Sequence, residues 1–408
     1  MIRFAISTSK DIDINDLRIA LLSYIVSKQQ NENLIINIDN QGKDGVDKDI
    51  LNILSLFSID YTKVVYKTDN IKYHTQMAMK LLLDKKAFNC FCSDEALTQD
   101  RLKAKKDGKP YVYSGFCQTI SDEAKFNCNA PFVVRLNKPT NNVDFKDSTV
   151  ILDHKKTPTN HFTNAVDDML NNTSTIIQNK NDIDDISIET HIRESLGYDK
   201  QLHYINTAKI INLNNQSIPT IQELIDDGYL PAAIANYLVS LGFDTPKNIF
   251  TLEEAIEWLD ISKISQDTPK FDIEELNIVN KEYLKSIDDL RLSKILGYAD
   301  QNIGKLAKIY LEECNTIKDI KSKIDTIFSS KEPLENFEDE FNLLKECMIS
   351  APFINDFNDL KKYIIKQTGL KENETTKLLR YIITGDTKTP NLNDIYLLIK
   401  NYIGEIIK

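Results

Sequence analysis

Forty residues at the amino terminus constrain the fold more than any other stretch. Ile2-Arg3-Phe4-Ala5-Ile6 is short, apolar and bounded by Ser7-Thr8-Ser9, the pattern of a buried strand. Leu17, Ala20, Leu21, Tyr24 and Ile25 then recur at helical spacing between Asn15 and Gln29, where Asn15 or Asp16 can cap the helix. Leu34-Ile35-Ile36-Asn37-Ile38 returns as a second strand ending at Asp39. Strand, loop, helix, strand in so short a span is a βαβ unit heading a parallel sheet. The loop entering that helix is where such folds usually bind an anion.

The chain has 408 residues, 41% hydrophobic and 27% charged, enough for about two to four domains with real cores. It shows no signal-peptide pattern and no apolar run of membrane-spanning length, so a soluble cytoplasmic protein is expected. A formal net charge of −11 argues against non-specific coating of nucleic acid while leaving room for a local basic face. Six cysteines are too sparse for a secreted disulfide framework, and their clustering points to metal instead. Ile50 to Phe57 reads as a helix, Tyr61 to Tyr66 as a strand, and Tyr73 to Lys86 as an amphipathic helix. Asp227 to Gly242 reads as a turn, Pro231 at a helix start and a helix ended by Gly242, with Leu230, Ile234, Tyr237, Leu238 and Leu241 as its packing stripe. Thr251 and Glu254 form a capping-box pattern, and from about 285 onward the chain reads as helices with short polar breaks.

These residues carry a resemblance. Arg3-Phe4-Ala5-x-Ser7, followed by Ile14, Arg18, Ala20-Leu21 and Tyr24, resembles the opening of the glutamyl-tRNA synthetases, a class I aminoacyl-tRNA synthetase family. That family reads R-F-A-P-S-P-T-G-x-L-H-I-G-G/H-x-R, with the HIGH-type motif holding ATP. Here Ile6, Thr8 and Lys10 stand at the proline, proline and glycine positions, and Asp13, Ile14, Asn15 and Asp16 at the HIGH positions. The family's R-I-E-D-T-D, whose glutamate helps hold the amino acid, reads Asn37-Ile38-Asp39-Asn40-Gln41-Gly42. Asp39 keeps one carboxylate; the alternative is a strand-end turn residue. Thr157 to Asp168 resembles Y-P-T-Y-N-F-A-V-V-V-D-D, with Asn160 for the tyrosine and His161 for the asparagine. His161 is weighed as a new base against a structural hydrogen-bonding role. The R-G-D/E-D/E-H/W signature reads Gln178-Asn179-Lys180-Asn181-Asp182, without its arginine. The second ATP loop, K-L/M-S-K-R/S, falls on Ile211-Asn212-Leu213-Asn214-Asn215, with Ile211 and Asn214 at the lysine positions and Lys209 two residues upstream. Gly228 to Gly242 looks like G-Y-L-P-E-A-L-L-N-Y-L-x-x-L-G, and Phe271 to Asn280 and Asp386 to Leu392 match later segments, so the likeness runs end to end.

The resemblance also frames two other clusters. Zinc-bearing members show C-x-C, about two dozen residues, then Y-x-x-x-C with or without a further histidine, which matches Cys90, Cys92, Tyr113 and Cys117; Thr119 stands at the histidine position and Cys128 is a spare. Thiolates bind Zn²⁺ tetrahedrally and Tyr113 offers a fourth oxygen; the alternative is reduced, packed cysteines. Arg101, Lys103, Lys105, Lys106 and Lys109 form the most basic run, consistent with the acceptor-stem contact the family assigns to this module. A solvated helix face is the alternative.

The fold implied is an α/β Rossmann-type catalytic domain with an inserted α+β module, followed by an all-α anticodon-binding-type domain. Its expected divisions are 1–72 and 151–245 for the Rossmann halves, 73–150 for the acceptor or zinc module, 246–320 for the stem-contact helices and 321–408 for the anticodon-binding part. Arg3, Ala5, Ser7 and Asp39 are the implied glutamate ligands. With the ATP motifs altered, the expectation is a tRNA-binding protein, monomeric, with glutamate adenylation lost or strongly reduced and with a protein partner in translation. ATP and Mg²⁺ belong to the alternative of an active glutamate–tRNA ligase with an unusual nucleotide site, where Asp13 and Asp16 could recruit the metal. A third alternative is a non-catalytic scaffold or regulator.

Overall fold

The computed structural model describes residues 1–40, 42, 44–109, 111–139, 148–179, 183–213, 217–388 and 391–408. The chain falls into two compact units. The first comprises Met1–Ile211 with Leu241–Thr245 and Leu252–Lys270; the second comprises Asn212–Ser240, Pro246–Thr251 and Phe271–Lys408.

The first unit opens with β1 (Ile2–Ser7), α1 (Ile14–Gln29), β2 (Leu34–Asp39), α2 (Val46–Leu56), β3 (Lys63–Tyr66) and α3 (Ile71–Leu83). A module follows, made of β4 (Ala87–Cys90), α4 (Asp94–Lys106), α5 (Asp122–Phe126), β5 (Val133–Leu136) and β6 (Val150–Leu152). Then come α6 (Asn160–Leu170), β7 (Thr175–Asn179), α7 (Ile183–Ser195) and β8 (His203–Thr207). Five strands form one parallel sheet in the order β3-β2-β1-β7-β8, the doubly wound arrangement expected of a Rossmann-type domain. The module carries its own antiparallel sheet, β4-β5-β6.

In β1 and β2 the alternation decides what faces what. Ile2, Phe4 and Ile6 are buried on one face, while Ala5 pairs with Asn37 and Ser7 with Asp39 on the other. That second face, at the carboxyl ends of the strands, is where open α/β sheets bind ligands. Helix α1 is buried nearly all round, including its polar residues Asn15 and Arg18. Buried polar groups need partners. Asn15 Oδ1 accepts the Ile210 N–H at 2.7 Å, and the Arg18 guanidinium donates to the carbonyls of Ala208 and Leu241. The N-cap is Asp13, two residues before Asn15 and three before Asp16, because Ile14 is already helical and the Asp13 carboxylate reaches the N–H groups of both.

Of the next helices, α8 (Ile221–Asp226) and α9 (Pro231–Ser240) belong to the second unit and α10 (Leu252–Trp258) to the first. The second unit continues through α11 (Ile273–Ser286), α12 (Asp289–Ile295), α13 (Gln301–Tyr310), α14 (Ile317–Phe328) and α15 (Glu338–Ser350). It ends in α16 (Phe357–Thr368), α17 (Glu372–Thr384), α18 (Leu392–Ile399) and α19 (Ile403–Ile406). One apolar core, with Tyr310, Ile324, Leu344, Ile364, Leu378 and Ile395 fully or nearly fully buried, joins these later helices. None of the described helices is long and apolar enough to cross a membrane.

The Gly228 to Gly242 block has a physical reason for each fixed position. Gly228 has φ +85°, and a Cβ there would lie 2.7 Å from the Lys318 nitrogen, so both conformation and space demand glycine. Tyr229 donates to Asn277 Oδ1 at 2.6 Å. Asn280, with no exposed surface, accepts the Leu230 N–H at 2.9 Å and donates to the Asn315 carbonyl at 2.7 Å. Replacing it orphans both backbone groups. Asn280→Ala should therefore lower the unfolding free energy by about 1–3 kcal/mol, measured by denaturant unfolding.

Candidate functional site

A cavity of about 200 Å³ opens at the carboxyl ends of β1, β2 and β3. Its floor is Ala5, Ile6, Ser7, Asn37, Ile38, Asp39 and Val65, and one wall is the face of α6 that carries Asn160, Asn164 and Asp167 at i, i+4 and i+7. Lys67, just after β3, reaches in from the side and is almost fully buried. Its ammonium lies 3.4 Å from Asp39 Oδ2 and donates to Asn160 Oδ1. Asp167 is held from behind by His74 Nε2 at 2.8 Å and Asn70 Nδ2 at 2.8 Å.

Of the four residues expected to bind glutamate, Ala5, Ser7 and Asp39 line this cavity and Arg3 does not. Arg3 is only 4% exposed, and its Nε lies 3.0 Å from Asp168, a carboxylate also approached by Arg193 at 3.8 Å. Burial alone would pull the Arg3 pKa down; the neighbouring Asp168 and Glu189 carboxylates outweigh that and raise it, so the cation is retained in a closed network. Sequence reasoning missed Lys67, Asn37, Asn164 and Asp167 as cavity residues. Their only signal was position: strand ends, and one stripe of α6.

At the start of α1 the anion site of the fold is filled by the protein. Asp13 Oδ1 accepts the N–H groups of Asn15 and Asp16 at 2.9 Å each, and Asp16 closes the capping box by accepting the Asp13 N–H at 3.2 Å. Lys10 Nζ sits 2.5 Å from Asp13 and 2.9 Å from Asp16. Both carboxyls feel burial pushing their pKa up; Lys10 brings Asp13 below its usual value, while the Asp13 charge helps keep Asp16 above. The two acids thus share one ammonium. Ile211 is exposed, as is Lys209; Asn214 and Asn215, and Lys180 to Asp182, lie outside the described residues. Gln178, at the position of the lost arginine, donates to Asn206 Oδ1 at 3.2 Å. His161 does not line the cavity: its Nε2 is 3.6 Å from Asp185 and its Nδ1 3.9 Å from Glu189, whose hydrogen bond raises its pKa.

In the module, Cys90, Cys92 and Cys117 bring three sulfurs within 4.8 Å of one another. Cys92 Sγ and Cys117 Sγ are 3.6 Å apart, close to the roughly 3.8 Å edge of a tetrahedron with Zn–S bonds of about 2.3 Å. The Tyr113 oxygen lies 3.3 Å from Cys90 Sγ and 3.5 Å from Cys92 Sγ, on the same centre. The Phe91 N–H donates to Cys117 Sγ at 3.3 Å, a bond that suits a thiolate. The donor set fits a structural zinc ion. Cys128 is exposed and outside the trio.

The basic run occupies the second half of α4, which Ser93 caps, and the residues just beyond it. All five cations are exposed. Arg101 and Lys105 share one helix face while Lys103 and Lys106 share another, so the charge wraps the helix end. Lys103, Lys105 and Lys106 also complement the helix dipole in the last turn. The Arg101 guanidinium lies over the Tyr111 ring at 5.4 Å.

Comparison with known proteins fits this geometry. Residues 1–278 match the profile described as tRNA synthetases class I (E and Q), catalytic domain. Over the full length of both chains, the sequence is 40% identical to glutamate–tRNA ligase 2 of Sulfurimonas denitrificans and 39% identical to glutamate–tRNA ligase 1 of Campylobacter jejuni. A solved glutamate tRNA ligase from Elizabethkingia meningosepticum, in complex with its amino acid, shares the fold with a TM-score of 0.81 at 17% identity, covering 100% of this chain and 98% of that one. With the profile spanning two thirds of the chain and relatives matching all of it, the protein belongs to the glutamyl-tRNA synthetase family of class I aminoacyl-tRNA synthetases.

Proposed function

We propose that the protein binds tRNA but has lost, or nearly lost, the ability to adenylate glutamate. The observation that carries this reading is that the charged side chains at the glutamate and first ATP-motif positions already have partners inside the protein. Asp13 takes the N–H groups at the head of α1, Lys10 neutralises Asp13 and Asp16, Lys67 neutralises Asp39, and Asp168 neutralises Arg3. Adenylation in this family proceeds without a covalent nucleophile on the protein, so the rate comes from positioning and from stabilising charge on the phosphates. Two lysines are absent from the second ATP loop, and carboxylates stand at the helix N-terminus where the phosphates would lie. A unit charge about 4 Å from another is worth about 4 kcal/mol at a surface-like dielectric, or roughly a thousand-fold in rate.

A second reading has its own support: relatives matching the full length are glutamate–tRNA ligases. In that reading Arg3, Ala5, Ser7 and Asp39 hold glutamate, and ATP with Mg²⁺ binds by unusual contacts. Pyrophosphate exchange with glutamate, run with and without tRNA, separates the two. The expected result is exchange at least about a thousand-fold below that of an active relative, and exchange at the relative's rate removes the first reading.

Cys90, Cys92, Cys117 and Tyr113 are proposed to hold one structural Zn²⁺, which ties β4 to the segment after α4 and takes no part in bond making. Metal analysis of protein purified without chelator should give about one zinc per chain. Cys92→Ser should then release the metal and loosen the 73–150 module, seen as faster amide exchange there, while the helices beyond 285 keep their protection.

For tRNA, the 73–150 module is proposed to face the acceptor end, the 246–320 helices the stem and the 321–408 helices the anticodon. Arg101, Lys103, Lys105, Lys106 and Lys109 are the proposed phosphate ligands. Replacing Lys103, Lys105 and Lys106 by glutamine should weaken binding and flatten the log K against log salt slope by roughly 0.7–0.9 for each phosphate no longer neutralised, with little change in preference among tRNAs. Salt-independent binding that ignores these changes would favour the scaffold alternative.

A further inference from the structure

The cavity between β1, β2 and α6 holds a feature that the lost adenylation leaves unexplained. Asn37 is 8% exposed and lines the floor, and its Oδ1 is buried without a hydrogen-bond partner. A buried carbonyl oxygen left unpaired is unfavourable, so it marks a place where a donor belongs. Around it the charges are few and already arranged. Lys67 supplies the one ammonium among the lining residues, and Asp39 and Asp167 supply two carboxylates. The rest of the lining is apolar or neutral: Ala5, Ile6, Ile38, Val65, Ser7, Asn160 and Asn164.

At about 200 Å³ the cavity is smaller than the roughly 300–1,000 Å³ sites that take drug-sized ligands, so it suits a single amino acid and not a nucleotide. Lys67 and Asp39 lie 3.4 Å apart, a cation and an anion side by side. A zwitterionic amino acid can lie against them head to tail, its carboxylate on Lys67 and its ammonium on Asp39. Its side chain then meets Asn37 Oδ1 and the Asp167 carboxylate. Both are acceptors. A side-chain carboxylate there would add a third negative charge to a lining that holds two carboxylates and one ammonium, and it would find no second cation, because Arg3 is outside the lining and spent on Asp168; the lining amides and Ser7 offer it only neutral donors. A side-chain amide brings two N–H donors and no charge.

We infer that this cavity selects an α-amino acid with a carboxamide side chain over the corresponding dicarboxylic acid. The inference rests on the reading of this cavity as the amino-acid pocket. It concerns which amino acid the pocket holds, whether or not the bound molecule is ever activated.

The test is isothermal titration calorimetry of the full chain with L-glutamine, L-asparagine, L-glutamate and the γ-methyl ester of L-glutamate, without ATP or tRNA. The ester is neutral but carries no side-chain N–H. Glutamine or asparagine should bind at least about ten-fold more tightly than glutamate, and the ester should fall on the weak side. Asn37→Leu, with the same number of side-chain heavy atoms and free of the orphan oxygen, should bring glutamine and the ester to about equal affinity. Lys67→Met should weaken all four. A preference for glutamate, equal affinity of glutamine and the ester for the unaltered protein, or no heat from any of the four at millimolar concentration overturns the inference. These outcomes are separable from the fate of adenylation. A glutamate preference without pyrophosphate exchange overturns only the selectivity, and exchange driven by glutamine overturns only the loss of adenylation. The ester comparison needs no variant, so the test stands even if Asn37→Leu fails to fold.

Discussion

The burial of α1 is the constraint on which the first unit depends. A helix buried on nearly every side cannot leave its ends to solvent alone, and the four leading N–H groups must find acceptors. In a class I synthetase fold that need coincides with function, since a phosphate at a helix N-terminus satisfies the same donors. Here the donors of Asn15 and Asp16 go to Asp13. Capping by aspartate stabilises such a helix by about 1 kcal/mol, and any phosphate at the same atoms would compete with that carboxylate for the N–H groups. Arg18 and Asn15 then fix the helix against Leu241, Ala208 and Ile210, so its head is held in place without any ligand.

The same internal pairing recurs on the inner strands of the sheet. Asp39 lies beside Lys67, and Arg3 beside Asp168, each charge with its opposite close by. A binding site whose charges await a ligand carries an electrostatic penalty when empty, because those charges are desolvated and unpaired. Internal pairing removes that penalty. It also weakens any ligand that needs the same charge, since it must displace a partner held on the protein. Asn37 Oδ1 is the exception among the lining residues, a polar group still unpaired.

Much of this architecture was legible in the sequence. Short apolar runs at Ile2 and Leu34 with a helical pattern between them marked the βαβ start, and the C-x-C and Y-x-x-x-C spacing pointed to the sulfur cluster. Spacing works there because each group is local: a strand, a helix or a turn sets the distance. Lys67 and Asn37 were not legible as a site. Lys67 meets Asn160 across 93 residues, and nothing in either neighbourhood marks the partner. Arg3 shows the converse limit. Strand alternation puts it on the same face as Ala5 and Ser7, yet Asp168 and Arg193 seal it in a network the pattern of β1 cannot reveal. The basic run was legible as charge but not as a surface, because four of its cations divide between faces of α4 and Lys109 lies beyond its end.

Retention and loss along this chain must be weighed by what holds each residue. The Gly228 to Gly242 block, the closest match to the family's pattern, is fixed by its surroundings: Gly228 by φ +85° and the backbone at Lys318, Tyr229 by Asn277, Leu230 by Asn280 and Asn236 by the Asn248 carbonyl and the Phe250 N–H. Substitution at any of these destabilises the second unit whether or not tRNA is ever bound. Their persistence therefore argues for a maintained fold and is neutral about RNA. The exposed cations of α4 have no such protection, since exchanging a solvated lysine for a neutral residue costs the fold little. Five cations in the nine positions from Arg101 to Lys109, on a chain of net charge −11, are thus the more discriminating observation for a phosphate-bearing partner. Their spread around the helix end suits a backbone that wraps the element better than one that lies along a single face.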